Sequence, residues 1–404
     1  MKPTCVLMIG IALATWPSRQ GRADDVGLRP PANGTISNSA AVEFLAPADA
    51  KSFDNSATIP WTSDQASDWA YRNSPTAALV EMERRAVAKL LDCDDEEQRA
   101  MAGLIQAVSA ELALHRRHES AANALVAYYQ IVAAREQIEL LNETAPLIKT
   151  LRALAKTAEQ LELVDGDRDA LADQRLQLED KWFEIDFGAQ RLRNQIAGLA
   201  GRPFDATERL DFVSPLPLDV SLQADEAALV EIALATRHDL KATEALCRCL
   251  NEKSLPAARD LLGTLVPGLG LDALLGVSGG GLLKLHHRRD KEAADLAERR
   301  AQCRKLAENQ RDMIRREVRD ALLGYQAAEA RLDVANRRVE AQRNVADRTR
   351  RGQELEQLPP GSEEQANLET LRLKTLRLQR RLAYAEALVQ IQRVTGRRDL
   401  INTP

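Results

Sequence analysis

The chain predicts a mainly α protein: two tandem repeats of long antiparallel coiled-coil helical hairpins, elongated, with little or no recognisable β-barrel. Three observations carry that reading. The first is an internal duplication. The segment LVAYYQIVAAR ending at Arg135 matches LLGYQAAEAR ending at Arg331, which sets Tyr129-Gln130 on Tyr325-Gln326, 196 positions later. IAGLAGRP around Gly201 then falls on IQRVTGRR around Gly396, 195 positions later, so both hairpins keep their spacing. The second is a four-then-three spacing of apolar residues, the mark of a coiled coil. The third is composition: 28% charged, 4% aromatic and 20 glycines in 404 residues suit long, solvent-laced helices better than a compact globule.

Residues 1–23 read as a signal peptide. Lys2 precedes the apolar run CVLMIGIALATW, and Gly21-Arg22-Ala23 offers small residues before Asp24-Asp25. Cys5 lies inside the apolar run, where it is not placed as a lipid acceptor. Residues 24–75 show no period and predict an extended arm that docks on the helices through Trp61 and Trp69.

The first hairpin repeat is expected over 76–205. Ser74-Pro75-Thr76 supplies a helix start, and Thr76 to Ala127 reads as continuous helix without Phe, Tyr or Trp. Its outgoing seam runs through Ala122, Leu125, Tyr129 and Val132 and resumes at Leu147, Leu151, Leu154, Ala158 and Leu161. Pro146 interrupts it, so a kink or restart is expected near Thr144. Leu178, Trp182, Ile185, Ala189, Leu192, Ile196 and Leu199 form the return seam. A linker over 206–224, carrying Pro215 and Pro217, then separates the copies.

The second repeat is expected over 225–400. Val318, Ala321, Tyr325, Ala328, Leu332, Ala335 and Val339 give the outgoing seam, and Leu368, Leu371, Thr375, Leu378, Leu382, Ala385 and Val389 the return. Helices of roughly 40 residues would be about 60 Å long. Narrow seams rich in alanine cannot bury much surface alone, so the hairpins should pack together or against other chains.

Residues 255–290 break this pattern. Their apolar pairs are separated by Gly263, Gly268, Gly270, Gly276 and Gly279 to Gly281, with Asp272 in the middle. Neither an alternating strand nor a 20-residue membrane helix fits. The segment suits shallow membrane insertion, a seam between subunits, or a cover over helix ends.

Cys93, Cys247, Cys249 and Cys303 have no zinc spacing, and a disulfide from the 247/249 pair to Cys93 or Cys303 stands beside the alternative of helix-packing thiols. His115 and His118 share a helix face, but no third ligand accompanies them and their charged flanks suggest solvent. Phosphate loops, nucleophile elbows and paired catalytic carboxylates are absent, so no enzyme, cofactor or metal is predicted. A net charge of −5 gives no nucleic-acid footprint.

The motif beginning at Ala233-Leu234 and running through Arg237-His238-Asp239-Leu240 to Glu244 resembles the AL..RPDL...E signature of the TolC-like outer-membrane efflux protein family. MIRREVRDALLGYQAAEARLDVANRRVEAQRNVA and the last helix ending in TGRRDL are similar to that family's second repeat, and with the duplication the resemblance covers about 76–400. It implies a homotrimer whose hairpins line a periplasmic tunnel, exporting small molecules with an adaptor and an inner-membrane pump from an exported position in the outer membrane or periplasm.

It further implies adaptor docking at the hairpin tips, here Asp165, Gly166 and Asp167 in the first copy and Gly352, Pro359, Pro360 and Gly361 in the second. Asp165, Asp167 and Asp169 would ring an entrance as a gate. Arg237, Asp239, Leu240 and Glu244 would be structural, and 255–290 would offer outer-membrane contact. His238 stands where the family has proline, and the Pro-Pro-Gly run departs from its tip. The family also carries a β-hairpin in each repeat, for which the first copy has no room. A periplasmic structural or interaction protein that keeps the scaffold without a pore is therefore the second reading.

Overall fold

The computed structural model describes residues 59–160, 168–201, 210–218, 222, 225–258, 261 and 288–398. The predicted signal peptide, residues 24–58 of the arm and most of the 255–290 insertion lie outside them. The described residues form eight α-helices and one parallel strand pair. In order these are β1 (Ile59–Trp61), α1 (Ser63–Asn73), α2 (Pro75–Ala88), a 3-10 turn (Lys89–Asp92), α3 (Glu96–Gln160), α4 (Arg168–Leu199), β2 (Leu210–Phe212), α5 (Glu226–Thr236), α6 (His238–Cys249), α7 (Arg288–Glu354) and α8 (Ser362–Thr395). The order repeats: two short helices, one very long outgoing helix, one return helix of half its length.

The outgoing helices exceed the expected forty residues. α3 has 65 and α7 has 67, each about 100 Å long. The extra length lies N-terminal to the duplicated motif, where α3 packs on α1, α2 and α6, and α7 on α5 and α6. That burial extends the helix where the coiled-coil seam alone would not.

The helix expected to be unbroken from Thr76 to Ala127 is in fact a hairpin. α2 ends at Ala88, and the 3-10 turn and the acidic run Asp92-Cys93-Asp94-Asp95 reverse the chain before α3. Asp95 caps α3 by accepting from the Glu97 N–H at 2.9 Å, so a local side-chain bond beat the helix propensity of the flanking Ala, Leu and Arg. Pro146, in contrast, causes no restart, since α3 runs through it. Its missing N–H costs about 3 kcal/mol, which packing of Ile148 and Leu151 on the same helix offsets. Thr144 and Thr150 hydroxyls also donate to the Leu140 and Pro146 carbonyls at 2.7 and 3.1 Å.

Part of the predicted arm is ordered structure. β1 pairs with β2 in parallel register, Ile59 with Leu210 and Trp61 with Phe212. Thr62 then starts α1 through a reciprocal capping box with Gln65. Trp61 is buried against Trp69, Tyr128 and Phe212. Tyr128 donates its hydroxyl to the Trp61 carbonyl and accepts from Ser214 N–H, both at 2.8 Å. Leu216 is buried in the same core, so the stretch after β2 is packed rather than a free linker.

The long helices form a row in the order α4, α3, α8, α7, because α8 packs on α3 as well as on α7. All seven residues of the predicted α7 seam are buried. The return seam on α8 divides differently from expectation. Leu378, Leu382, Ala385 and Val389 pack with Leu125, Tyr129 and Val132 of α3, while Tyr384, Leu388 and Ile391 face Ile314, Val318 and Tyr325 of α7. A helix flanked on both sides needs two apolar stripes, and the more regular of the two joins the repeats rather than the hairpin. Gln130–Glu386 at 2.7 Å, Glu136–Arg381 at 2.8 Å and Glu143–Lys374 at 3.3 Å run beside it as an antiparallel polar ladder.

Candidate functional site

Three regions carry candidate function: the joint around Arg237, the hairpin tips, and the outer faces of the helix row. At the joint the chain breaks between α5 and α6. Arg237 Nη2 and Nε donate to the two carboxylate oxygens of Asp239 at 2.6 and 3.0 Å, and Nη1 reaches Glu317 of α7. Burial raises the Asp239 pKa, yet the Arg237 hydrogen bonds and charge outweigh it and hold the carboxyl below its ordinary range. Leu240 is buried in the α5–α7–α8 core, and Glu244 pairs with Arg311 at 2.5 Å. Gly396, at φ +66°, ends α8 against the Arg237 backbone, and Thr236 donates to the Thr395 carbonyl.

The first repeat has the same joint in other residues. α1 breaks into α2 at Ser74-Pro75, and Gly201, at φ +61°, packs on Asn73 and Pro75 there. From Ser74 to Tyr129 is 55 positions, while from Arg237 to Tyr325 is 88. The excess of 33 falls between the short and long helices, where the second copy carries its insertion and the first has the capped turn.

His115 and His118 were expected to face solvent, but His118 does not. It stacks on His238 with ring centroids 5.3 Å apart and meets Tyr71 edge-on at 5.2 Å. Nδ1 of His238 lies 2.7 Å from Glu111. Burial first, then the neighbouring His238 and Arg398, push the His118 pKa down to about 4, and burial also lowers that of His115. A cavity of about 380 Å³ opens here, lined by His115, His118, Arg237, His238, Arg393 and Arg398. Its arginines are paired: Arg393 with Glu119 at 3.8 Å, and Arg398 with Asp68 at 2.6 Å and over the Tyr71 ring at 4.1 Å. Among the described residues no group of three His, Cys, Asp or Glu is placed to hold a metal ion.

At the second tip, α7 closes with a Schellman turn. Gln357 N–H donates to Gly352 O at 2.9 Å and Glu356 N–H to Gln353 O at 3.0 Å, with Glu356 left-handed at φ 57°. Leu358 folds over Gly352 so closely that a Cβ there would sit 2.8 Å from its Cδ1. Pro359 and Pro360 lead to Gly361, at φ +92°, which starts α8 and rests on Leu151 and Leu154 of α3. Leu355 at the apex is 67% exposed. Of the first tip, Asp165, Gly166 and Asp167 lie outside the described residues, and Asp169 is described only as a position in the first turn of α4.

Each of the row's two outer helices exposes a sparse line of apolar residues among charged ones, a feature the sequence reading missed. Leu176, Phe183 and Phe187 are exposed on α4 at spacings of seven and four, and the two phenylalanine rings stack at 6.5 Å. On α7, Leu323, Val334 and Val345 are exposed at a spacing of eleven, three full turns. Both stripes lie opposite the buried seams of their helices, which hold Ile185 and Ile196 on α4 and Val318 and Tyr325 on α7. An eleven-residue apolar period on the far face of α7 was the signal available in the sequence. Among the described residues no helix is long and apolar enough to cross a membrane.

No family model and no curated protein sequence matches the chain. Solved structures do. It is similar to a membrane protein from Pseudomonas aeruginosa, at 13% identity and TM-score 0.63 over 83% of this chain and 93% of that one. It is similar to the Campylobacter jejuni CmeC outer membrane channel, at 12% identity and TM-score 0.61 over 91% of this chain and 94% of that one. For CusC, whose structures concern folding and transmembrane channel formation, the values are 11% and 0.62 over 84% and 93%. With its duplicated hairpins, capped joints and four-helix row, the chain has a TolC-like fold, the fold it shares with the CmeC outer membrane channel.

Proposed function

We propose that the chain is exported and forms the periplasmic tunnel of an efflux system, as a homotrimer working with an adaptor and an inner-membrane pump to pass small molecules. The observation that carries this is the pair of unlike apolar edges on one row of helices. Leu176, Phe183 and Phe187 on α4 stay exposed among the described residues, and so do Leu323, Val334 and Val345 on α7. An α4 edge against the α7 edge of the next copy is a head-to-tail contact, and such contacts close into rings when the rotation allows. Three copies would give a wall of twelve long helices.

In this reading the hairpin tips around Leu355, Pro359, Pro360 and Gly361, with Asp165, Gly166 and Asp167, dock the adaptor. Asp165, Asp167 and Asp169 form an acidic ring at the entrance, opened when the tips are engaged. Arg237, Asp239, Leu240 and Glu244 hold the joint that fixes the second hairpin's direction. The 255–290 segment meets the outer membrane. Transport is passive and needs no covalent step.

The test is membrane fractionation with carbonate and detergent extraction, followed by light scattering of the detergent-purified protein and of a Phe183→Asp/Val334→Asp variant. A detergent-dependent trimer that the variant reduces to monomers is expected. A wild-type protein that stays soluble and monomeric without detergent would refute the tunnel. That result would favour the second reading, a periplasmic scaffold or interaction protein without a pore, for which the seven residues between α2 and α3 speak.

A further inference from the structure

The charges beside the two apolar lines follow one pattern, written twice. On α4, Asp173, Asp180 and Arg191 are exposed at spacings of seven and eleven. On α7, taken from the tip, Arg338, Arg331 and Asp320 are exposed at the same spacings with every sign reversed. None of the six has an ion-pair partner among the described residues, and Asp173 accepts from Gln177 of its own helix at 2.6 Å. Their places beside the apolar lines match too. Asp173 and Asp180 precede Leu176 and Phe183 by three residues, as Asp320, Arg331 and Arg338 precede Leu323, Val334 and Ala341, while Arg191 follows Phe187 by four. Three residues back along an α-helix is about 60° to one side, and four forward is about 40° to the same side. We propose that the six pair between neighbouring copies as three rungs, Asp173–Arg338, Asp180–Arg331 and Arg191–Asp320, and so fix the register of α4 on α7. The inference rests on the tunnel reading above and names the residues by which one copy recognises the next.

Direction and height both allow the match. α4 runs away from the tips and α7 towards them, and on facing helices of opposite direction two lines displaced in the same rotational sense fall on one common face. Within the row, Tyr325 of α7 lies beside Tyr384 of α8, with ring centroids 5.5 Å apart, and Arg381 of α8 beside Glu136 of α3. The duplication sets Ala189 of α4 beside Tyr129 of α3, as their counterparts Tyr384 and Tyr325 are set. Stepping across the row by these pairs brings Tyr325 level with Ile185, and rotation about an axis along the helices keeps that level from one copy to the next. The three rungs set Tyr325 level with Asp186, one residue away. In that register Leu176 meets Val334, Phe183 meets Ala327 and Phe187 meets Leu323, so the apolar and charged lines close together. Exposed ion pairs add little affinity, so the apolar line supplies adhesion and the charges supply the choice of partner and register. A two-fold contact of α4 with α4 could pair Asp180 with Arg191 but would strand Asp173. Only α4 against α7 pairs all six.

The test sizes the full-length protein in detergent by light scattering and follows its dissociation on dilution. Asp180→Arg or Arg331→Asp alone should weaken the trimer roughly tenfold or more, since each sets like charges opposite each other. Asp180→Arg combined with Arg331→Asp should recover it. Asp180→Arg combined with Arg348→Asp should not, because Arg348 follows Val345 by three residues and so flanks the other side of the α7 line. The substituted side chains are exposed, and far-UV circular dichroism of each variant keeps loss of assembly apart from loss of fold. A trimer indifferent to the single reversals, or rescued equally well by Arg348→Asp, would overturn the rungs and leave the tunnel standing. A wild-type two-fold dimer, or a protein that is monomeric with and without detergent, would overturn the tunnel and the rungs with it.

Discussion

Arg381 on α8 reaches Glu136 on α3 at 2.8 Å, as the middle rung of the polar ladder that joins the two repeats. Arg381 is 15% and Glu136 30% exposed, so the pair is screened from water on one side. Glu136→Gln removes the charge that neutralises a half-buried guanidinium, and should lower stability by about 1–2 kcal/mol. Lys374→Ala, at the more exposed outer rung, should cost less than about 0.5 kcal/mol. Urea unfolding of both variants checks the ranking, and equal losses would mean that the ladder adds nothing beyond the apolar seam.

Arg237→Gln should be the most destabilising single change at the joint, about 3 kcal/mol, because it leaves two carboxylates, Asp239 and Glu317, facing each other without a cation. Arg237→Lys should recover a minor share, since an ammonium cannot span both oxygens of Asp239. Midpoints in urea decide it. A lysine variant as stable as wild type would refute the importance of the two-point contact.

Acid should weaken this region in a defined window. In the unfolded chain an imidazole titrates near 6.5, while burial and then His238 and Arg398 hold folded His118 at about 4. The unfolded state therefore takes up the proton first. Stability from neutral His118 is complete above pH ~6.5, is lost as pH falls through ~4, and amounts to on the order of 2 kcal/mol. Glu111, Glu119, Asp239, Glu317 and Lys241 face the same cluster, and Asp239 adds an acid loss of its own at lower pH. His118→Gln should flatten the slope of unfolding free energy between pH 6.5 and 4. An unchanged slope would locate the acid sensitivity elsewhere.

Gly352→Ala should loosen the second tip without unfolding the rows, because its Cβ displaces Leu358 from across the turn. Gly361→Ala strains a backbone at φ +92° against Leu151 and Leu154, at about 1–2 kcal/mol. Faster trypsin cleavage after Arg348, Arg350 or Arg351 with little change in melting temperature is expected for the first variant. Intact tips at wild-type digestion rates would contradict the packing role of Leu358.

Replacing Asp165, Asp167 and Asp169 together by asparagine should reduce cation preference in planar-bilayer recordings of the reconstituted protein, and change drug sensitivity in cells. No change in either would sink the acidic gate.

The duplication and the α7 seam were legible because each depends on spacing within one helix. Val318 through Val339 is buried as its period requires. What the sequence hid depends on neighbours. The heptad through Leu378, Leu382 and Ala385 has the period of a hairpin partner, and a period cannot say which of two flanking helices receives it. The break before α3 was missed because Leu, Ala and Arg on either side favour helix, while the decisive contribution is one Asp95 carboxylate on the first N–H groups of α3. His118 was misjudged because its flanks, Arg116, Arg117 and Glu119, are polar, yet the residue that covers it, His238, is 120 positions away.

The capped turn between α2 and α3 sets a limit on reach. Seven residues, Lys89 to Asp95, separate the two helices. Drawn out fully they would extend about 25 Å, less than one passage through a hydrocarbon core of about 30 Å, and a hairpin needs two. The first repeat therefore cannot dip into a bilayer and return from this end. Any membrane wall made by this chain would be asymmetric between its halves, with no stave drawn from the turn between α2 and α3.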